Sequence, residues 1–326
     1  MKQPCFVGID TSNYTTSLAF CTEGGEVVAN LKCPLPVKEG ERGLRQSDAV
    51  FLHTRNLPIL FETAAPYFRE YQPIAVGVSA YPRTQEGSYM PCFLAGKAAA
   101  SALGASTGVH VYEFSHQNGH IMAAYYSSGA PETVLKSPFV AFHVSGGTTE
   151  VLLVSPSGTD FRCEIIGGTL DMNAGQAIDR VGVAMGLAFP CGPEMERLAL
   201  TKSSLKKTAL RVSVKDGKCN LSGLENRALK MFAETGDKEQ TARFVLDFIA
   251  ETLAKITEQI KEQYPTCPIV YSGGVMSCSI LQKRLAGDNV YFAEPAFSAD
   301  NAAGIALLAR RMHLSEEITW KPITDF

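Results

Sequence analysis

His116 and His120 stand four residues apart in Ser115-His116-Gln117-Asn118-Gly119-His120-Ile121. On a helix that spacing puts both imidazoles on one face, where their ring nitrogens can converge on a single metal ion. A pair of ordinary hydrogen-bonded histidines is the competing explanation. The glutamate of an H-E-x-x-H helix is absent, which removes the base that would activate water in a metalloprotease. Asp300, ahead of Asn301-Ala302-Ala303-Gly304, offers a distant oxygen ligand. An Asp just before an apolar helical run also serves as an N-cap, so both roles stay open. No Ser–His–Asp or Cys–His constellation emerges, and no catalytic nucleophile is assigned.

Two glycine loops suit a different chemistry. Ser145-Gly146-Gly147-Thr148-Thr149 and Ser272-Gly273-Gly274-Val275 each follow an apolar, strand-like run. Glycines there permit close approach, and exposed N–H groups can receive a phosphate or a ribose-bearing ligand. Neither loop is a dinucleotide fingerprint or a P-loop, and a merely packed turn is the alternative. Asp179, in Ala174-Gly175-Gln176-Ala177-Ile178-Asp179-Arg180, could accept ribose hydroxyls or pair with Arg180 at the surface. Cys278 could touch a ligand or be a buried thiol. Asp10, ahead of Thr11-Ser12, could approach phosphates through a cation or belong to a polar turn.

The elements that must position these groups alternate in type. Val7 and Ile9, Leu18 and Phe20, then Val27, Val28 and Leu31 predict three strands with turns at 11–14 and 23–25. The same grammar returns at an offset of 133 residues: Phe6-Val7 falls on Phe139-Val140, Ser12 on Ser145, and Thr15-Thr16 on Thr148-Thr149. The repeat leads to the expectation of two related halves with a cleft between them, two merely tight hairpins being the alternative. Helices are expected over Leu52–Phe68, with Pro58 opening or kinking it, and over Phe93–Leu103, Leu170–Leu187, Glu239–Glu262 and Met276–Leu285. Strands are expected at 74–78, 109–112 and 267–271. Alternating strands and helices favour an α/β architecture over a sandwich.

Composition narrows the class. The chain has 326 residues, 45% of them hydrophobic, and a formal charge of −3. It can bury a large core in two domains, and an all-over nucleic-acid-coating surface is excluded while a local basic groove is not. The first apolar run is too short for a signal sequence or a membrane helix. Nine cysteines, odd in number and without a C-x-x-C pair, lead to the expectation of a cytoplasmic protein with no membrane association.

Taken together, these motifs resemble the TsaD/Gcp family, the tRNA threonylcarbamoyladenosine-synthesis proteins formerly called glycoproteases. The anchors are Gly8-Ile9-Asp10-Thr11-Ser12, His116-Gln117-Asn118-Gly119-His120, Val144-Ser145-Gly146-Gly147-Thr148-Thr149 and Ala174 to Arg180. Pro190-Cys191-Gly192-Pro193, Ser272-Gly273-Gly274-Val275 and Asp300-Asn301-Ala302-Ala303 extend the match along almost the whole chain. The resemblance implies an α/β fold of the two-lobed, actin-like ATPase, sugar-kinase and Hsp70 type. It divides the chain into lobes at 1–130 and 131–295 and a segment, 296–326, that returns to the metal site. It implies that His116, His120 and Asp300 hold a divalent transition metal, iron first and zinc as the other candidate. Ser145, Gly146, Gly147, Asp179, Gly192, Gly273, Gly274 and Cys278 would bind ATP or an adenylate.

The implied reaction is transfer of threonylcarbamate from threonylcarbamoyl-adenylate to N6 of a tRNA adenosine, with release of AMP. Its implied partners are tRNA and a TsaB-like or other assembly protein. The chain departs from the family pattern at Tyr14, where a carboxylate is usual, and at Cys278, where an Asn is usual. Ser79 to Gln85 replaces a G-P-G segment, and Met172-Asn173 interrupts an Asp-Asp-Ala pattern. These departures carry a second expectation: a divergent metal- and nucleotide-binding paralogue acting on another activated acyl compound, or a non-catalytic assembly partner.

Overall fold

The computed structural model describes residues 2–12, 14–36, 44–205, 210–299 and 302–319, the last four of these by backbone alone. The chain divides into two units: Met1–Tyr126 with Pro156–Arg162 and Ala299–Phe326, and Ser127–Ser155 with Cys163–Ser298.

In the first unit, β1 (Gln3–Asp10), β2 (Thr15–Thr22) and β3 (Val27–Pro34) form an antiparallel meander. Strands β4 (Tyr71–Tyr81) and β5 (His110–Ser115) add in parallel on the other side of β1, giving the order β3-β2-β1-β4-β5. Cys5, Phe6, Val7 and Ile9 are all buried, as expected for a central strand covered on both faces. On one face, Val7, Ile9, Leu18, Phe20, Val76 and Val78 pack with Leu57 and Leu60 of α1 (Gln46–Thr63) and Ala95 and Ala100 of α3 (Phe93–Thr107). Pro58 sits inside α1 without ending it. The break comes at Ala64, before the short α2 (Ala65–Glu70), so the helix expected to Phe68 is two helices. Gly108, left-handed at φ 71°, closes α3. Helix α4 (His116–Ser127) follows β5 directly.

The second unit rebuilds this plan. Strands β6 (Phe139–Val144), β7 (Thr149–Ser157) and β8 (Asp160–Thr169) form the meander. The two-residue strands β9 (Val214–Lys215) and β10 (Lys218–Cys219) extend one edge, while β11 (Ile269–Ser272) and β12 (Val290–Phe292) add in parallel to β6. The sheet runs β12-β11-β6-β7-β8-β10-β9, so its first five strands repeat the order of the first sheet. The register repeats too: Val7 pairs with Phe20, and Val140 pairs with Leu153, each 133 residues on.

Around the second sheet lie α5 (Ala174–Ala184), α6 (Gly192–Ala199), α7 (Ser222–Thr235), α8 (Lys238–Gln263), α9 (Ser279–Leu285) and the single-turn α10 (Pro295–Ser298). The apolar stripe of α8, including Phe244, Phe248, Ile249, Leu253, Ile256 and Ile260, faces the core. Two expected helices begin late. Residues 170–173 form a turn ahead of α5, because Asp171 takes its own hydrogen bonds there. Cys278 is extended (φ −70°, ψ 120°), which separates a 3-10 turn at Gly274–Ser277 from α9.

The last helix, α11 (Ala303–Thr319), returns to the first unit and packs on β1, β2 and β4. Its Ile305 and Leu308 are fully buried, which contributes about 1.5–3 kcal/mol each. Glycines make that approach close. A Cβ at Gly8 would collide with the backbone at Ala302 and Ala306, one at Gly77 with the Ile305 carbonyl, and one at Gly304 with the Gly119 carbonyl of α4.

Gly304→Ala is therefore expected to lower stability by at least about 2 kcal/mol, read by urea unfolding, because a backbone oxygen cannot rotate away from the added methyl. A second outcome concerns Asp171. Burial alone would raise its pKa, but Ser222, Leu221 and Met172 donate to the carboxylate and bring it down to about 2 from 3.8. A depressed carboxyl stabilises the fold above its unfolded pKa, and that contribution is lost as pH falls from 3.8 towards 2. Asp171→Asn should flatten stability against pH in that window relative to the unsubstituted chain.

Candidate functional site

In the first unit, the end of β1 and the start of α4 meet. Asp10, 1% exposed, places Oδ2 3.0 Å from His116 Nδ1, while its Oδ1 accepts the Ser12 N–H at 2.9 Å. Thr11 fastens the same loop to α3: its hydroxyl donates to the Cys92 carbonyl at 2.9 Å and accepts the Gly96 N–H at 3.0 Å. Helix α4 is held at its first turn, where Asn118 N–H donates to Ser115 Oγ and Gln117 N–H to the Pro82 carbonyl, both at 3.1 Å.

The helical spacing has the expected result: the His116 and His120 rings lie 4.3 Å apart, inclined at 71°. Gly119, between them in sequence, is the residue against which Gly304 of α11 packs. Asp300 lies outside the described residues. Among the described residues, no group of three His, Cys, Asp or Glu side chains has a metal-holding arrangement. The structure therefore gathers two imidazoles and a carboxylate bonded to one of them.

One buried polar group next to this loop has no counterpart in the sequence reading. Thr16 Oγ1 lies 2.9 Å from His53 Nδ1 and accepts from Asn56 Nδ2 at 3.2 Å. All three residues are at most 3% exposed. The only available signal was a polar pair at i and i+3 on the inward face of α1.

The second unit gathers the glycine loops. Ser145 N–H donates to the Thr148 carbonyl at 2.7 Å and Ser145 Oγ accepts the Thr148 N–H at 3.1 Å, closing the turn after β6. Gly175 in the first turn of α5 donates to the Ser145 carbonyl at 3.1 Å, and a Cβ there would come within 2.6 Å of Gly146 N. Gly273, left-handed at φ 97°, lies against the Val144 carbonyl. The two glycine loops and the α5 N-terminus thus share one place at the ends of β6 and β11. Around Gly146, Gly147, Gly192 and Gly274, by contrast, an added Cβ would meet nothing within 4 Å. Backbone crowded from behind and open in front is what a phosphate-sized anion needs.

Asp179 does not pair with Arg180, which reaches Glu225 at 2.9 Å instead. Its Oδ1 accepts the Cys191 N–H at 2.8 Å, fastening α5 to the residue before Gly192. Burial raises the Asp179 pKa and the Cys191 bond opposes that rise, leaving it above the ordinary carboxyl value. Cys278 is 9% exposed within the second core, and burial pushes its thiol up to about 11. Tyr14, in the first unit, is 44% exposed.

Comparison with known proteins gives a consistent result. Residues 87–307 match the family of tRNA N6-adenosine threonylcarbamoyltransferases, TsaD. A tRNA N6-adenosine threonylcarbamoyltransferase of Thermus thermophilus is 30% identical over 316 residues, covering 96% of this chain and 93% of that protein. The protein of the same description from Thermosipho africanus is 28% identical over 320 residues, with 94% of each chain covered. Solved structures share the fold at low identity. The activator of 2-hydroxyisocaproyl-CoA dehydratase from Clostridium difficile, with bound ADPNP, has a TM-score of 0.54 at 12% identity, covering 98% of this chain and 100% of that one. A ROK-family glucokinase from Streptomyces griseus has a TM-score of 0.50 at 12% identity, covering 94% and 99%. The chain accordingly shares the two-sheet α/β fold of these structures, the actin-like and sugar-kinase type of fold. No helix among the described residues is long and apolar enough to cross a membrane.

The thiol environments generate a prediction. Cys278 is buried, whereas Cys33, Cys163 and Cys267 are partly exposed; burial raises the thiol of Cys278 to about 11 and raises that of Cys267 as well. Alkylation of the native protein near pH 8, mapped by peptide mass spectrometry, should modify the three partly exposed thiols at least about tenfold faster than Cys278.

Proposed function

The chain belongs to the tRNA N6-adenosine threonylcarbamoyltransferase family, and we propose that it transfers threonylcarbamate from threonylcarbamoyl-adenylate to N6 of a tRNA adenosine. In this reading His116, His120 and Asp300 hold a divalent transition metal, iron before zinc. The observation that carries it is the pair of imidazoles 4.3 Å apart on α4, one bonded through Nδ1 to a buried carboxylate. That donor set fits a metal: two adjacent borderline nitrogen ligands, with a carboxylate orienting one of the rings. When bound, such an ion stabilises negative charge developing on an acyl-side oxygen.

The chain's own groups divide the remaining work. Gly146, Gly147 and Gly274 offer open backbone to the phosphate of an adenylate, held in place by Ser145 and Gly273 and with the α5 N-terminus beside them. Asp179, with Oδ1 committed to Cys191, would take a ribose hydroxyl on its other oxygen, next to Gly192. The adenosine N6 amine attacks the carbamoyl carbon, the bond to the phosphate oxygen breaks, and AMP leaves with the electron pair as N6 loses a proton. A TsaB-like protein would assist, and tRNA would be the acceptor.

The state of Cys278 favours a second reading. Where a nucleotide-contacting amide is usual, this chain has a thiol inside the core, which offers no directional hydrogen bond to a base. This suits a divergent paralogue acting on another activated acyl compound, or an assembly partner without catalysis.

The deciding experiment supplies metal-loaded protein and its partner proteins with threonylcarbamoyl-adenylate and unmodified tRNA, and measures N6-threonylcarbamoyladenosine and AMP. The expected outcome is stoichiometric formation of both, with His116→Ala and Asp300→Ala each lowering the rate at least about 100-fold while the protein stays folded. Binding of metal and adenylate without tRNA product would replace the transferase reading by the paralogue. Loss of both bindings would leave the assembly protein.

A further inference from the structure

We infer that Asp10 is a positioning residue that fixes His116 in the Nδ1–H tautomer and so makes its Nε2 lone pair the metal ligand; the inference rests on the metal reading above. Its basis is geometry across 106 residues of sequence. A neutral imidazole carries one N–H and one lone pair, and an ionised carboxylate can only accept. With Nδ1 3.0 Å from Asp10 Oδ2, the proton belongs on Nδ1 and the lone pair on Nε2.

The carboxylate is well placed to impose this. It is 1% exposed, and its other oxygen is held at 2.9 Å by the Ser12 N–H, so it does not swing away. The neighbouring Thr11 ties the backbone to α3 through two further bonds. His116 is itself only 9% exposed, so water competes poorly for Nδ1. Asp10 is thereby occupied as an orienting group rather than as a ligand: Oδ2 is spent on the ring and Oδ1 on the turn. A carboxylate behind a ligating imidazole both orients the ring and makes its other nitrogen a stronger donor, and removing such a partner commonly costs about 10- to 100-fold in metal affinity.

Two measurements test this. In metal-free wild-type protein, nitrogen-15 NMR of the histidine side chains at about pH 8.5, above the range in which an ordinary histidine titrates, should show His116 with the proton on Nδ1 and Nε2 unprotonated. An Nε2–H tautomer would overturn the inference without any substitution being needed. Titration with Co(II), followed by its visible absorption bands, should then give a dissociation constant about 10- to 100-fold weaker for Asp10→Asn than for wild type. Circular dichroism would establish that the variant is folded. A Co(II) affinity within about twofold of wild type, against the loss expected for such a partner, would overturn the role of Asp10 and leave the metal reading standing. A wild-type protein that binds no Co(II) would overturn both.

Discussion

The first unit depends on backbone touching backbone. Helix α11 lies so close to β1, β4 and α4 that Gly8, Gly77 and Gly304 have no room for a Cβ against its backbone or theirs, while Gly119 faces the Ile305 side chain. The consequences reach the site through chain connectivity. Gly8 is two residues before Asp10, and Gly119 lies between the two histidines in sequence, next to His120. The helix that seats against these glycines therefore fixes the depth of β1 and α4 together. The hydrogen bond between Asp10 and His116 is a product of that common seating, with the Thr11 bonds to α3 removing the slack.

The two units show one plan put to two uses. Both have a meander, two added parallel strands and the same hairpin register. The turn after β1 holds a carboxylate against an imidazole and is fully buried at Thr11 and Ser12. The equivalent turn after β6 has glycines where it needs a bare backbone, backed by Gly175 and Gly273 and open in front. What differs between them is a few turn residues on equivalent strand ends, consistent with function residing in loops on a shared scaffold.

Much of this was legible in the residues because the responsible interactions are local or periodic. The strand alternation of Val7, Ile9, Leu18 and Phe20, the 133-residue repeat and the long stripe of α8 all follow from burial at fixed period. The two histidines at i and i+4 likewise needed only the helix between them. Contacts between distant segments carry no such signature. Asp10 could be read equally as a phosphate-side or a turn residue, since its partner lies 106 positions away. Asp179 looked like a neighbour of Arg180, but its helix turns it to Cys191 and sends Arg180 to Glu225. The late start of α5 was hidden for a related reason. Helical composition at 170–173 does not reveal that Asp171 is already engaged with Leu221 and Ser222, 50 and 51 residues on.

The position of α11 in the chain also sets an order of assembly. The sheet surface around Gly8 and Gly77 is made early in the chain, yet the helix that covers it is synthesised only after the whole second unit. On the ribosome, the first sheet must therefore wait with an uncovered glycine-lined face while the second unit can already complete its own core. The unit that begins the chain is the last to close, and protection of that open face is a task for the interval of translation between residue 127 and residue 303.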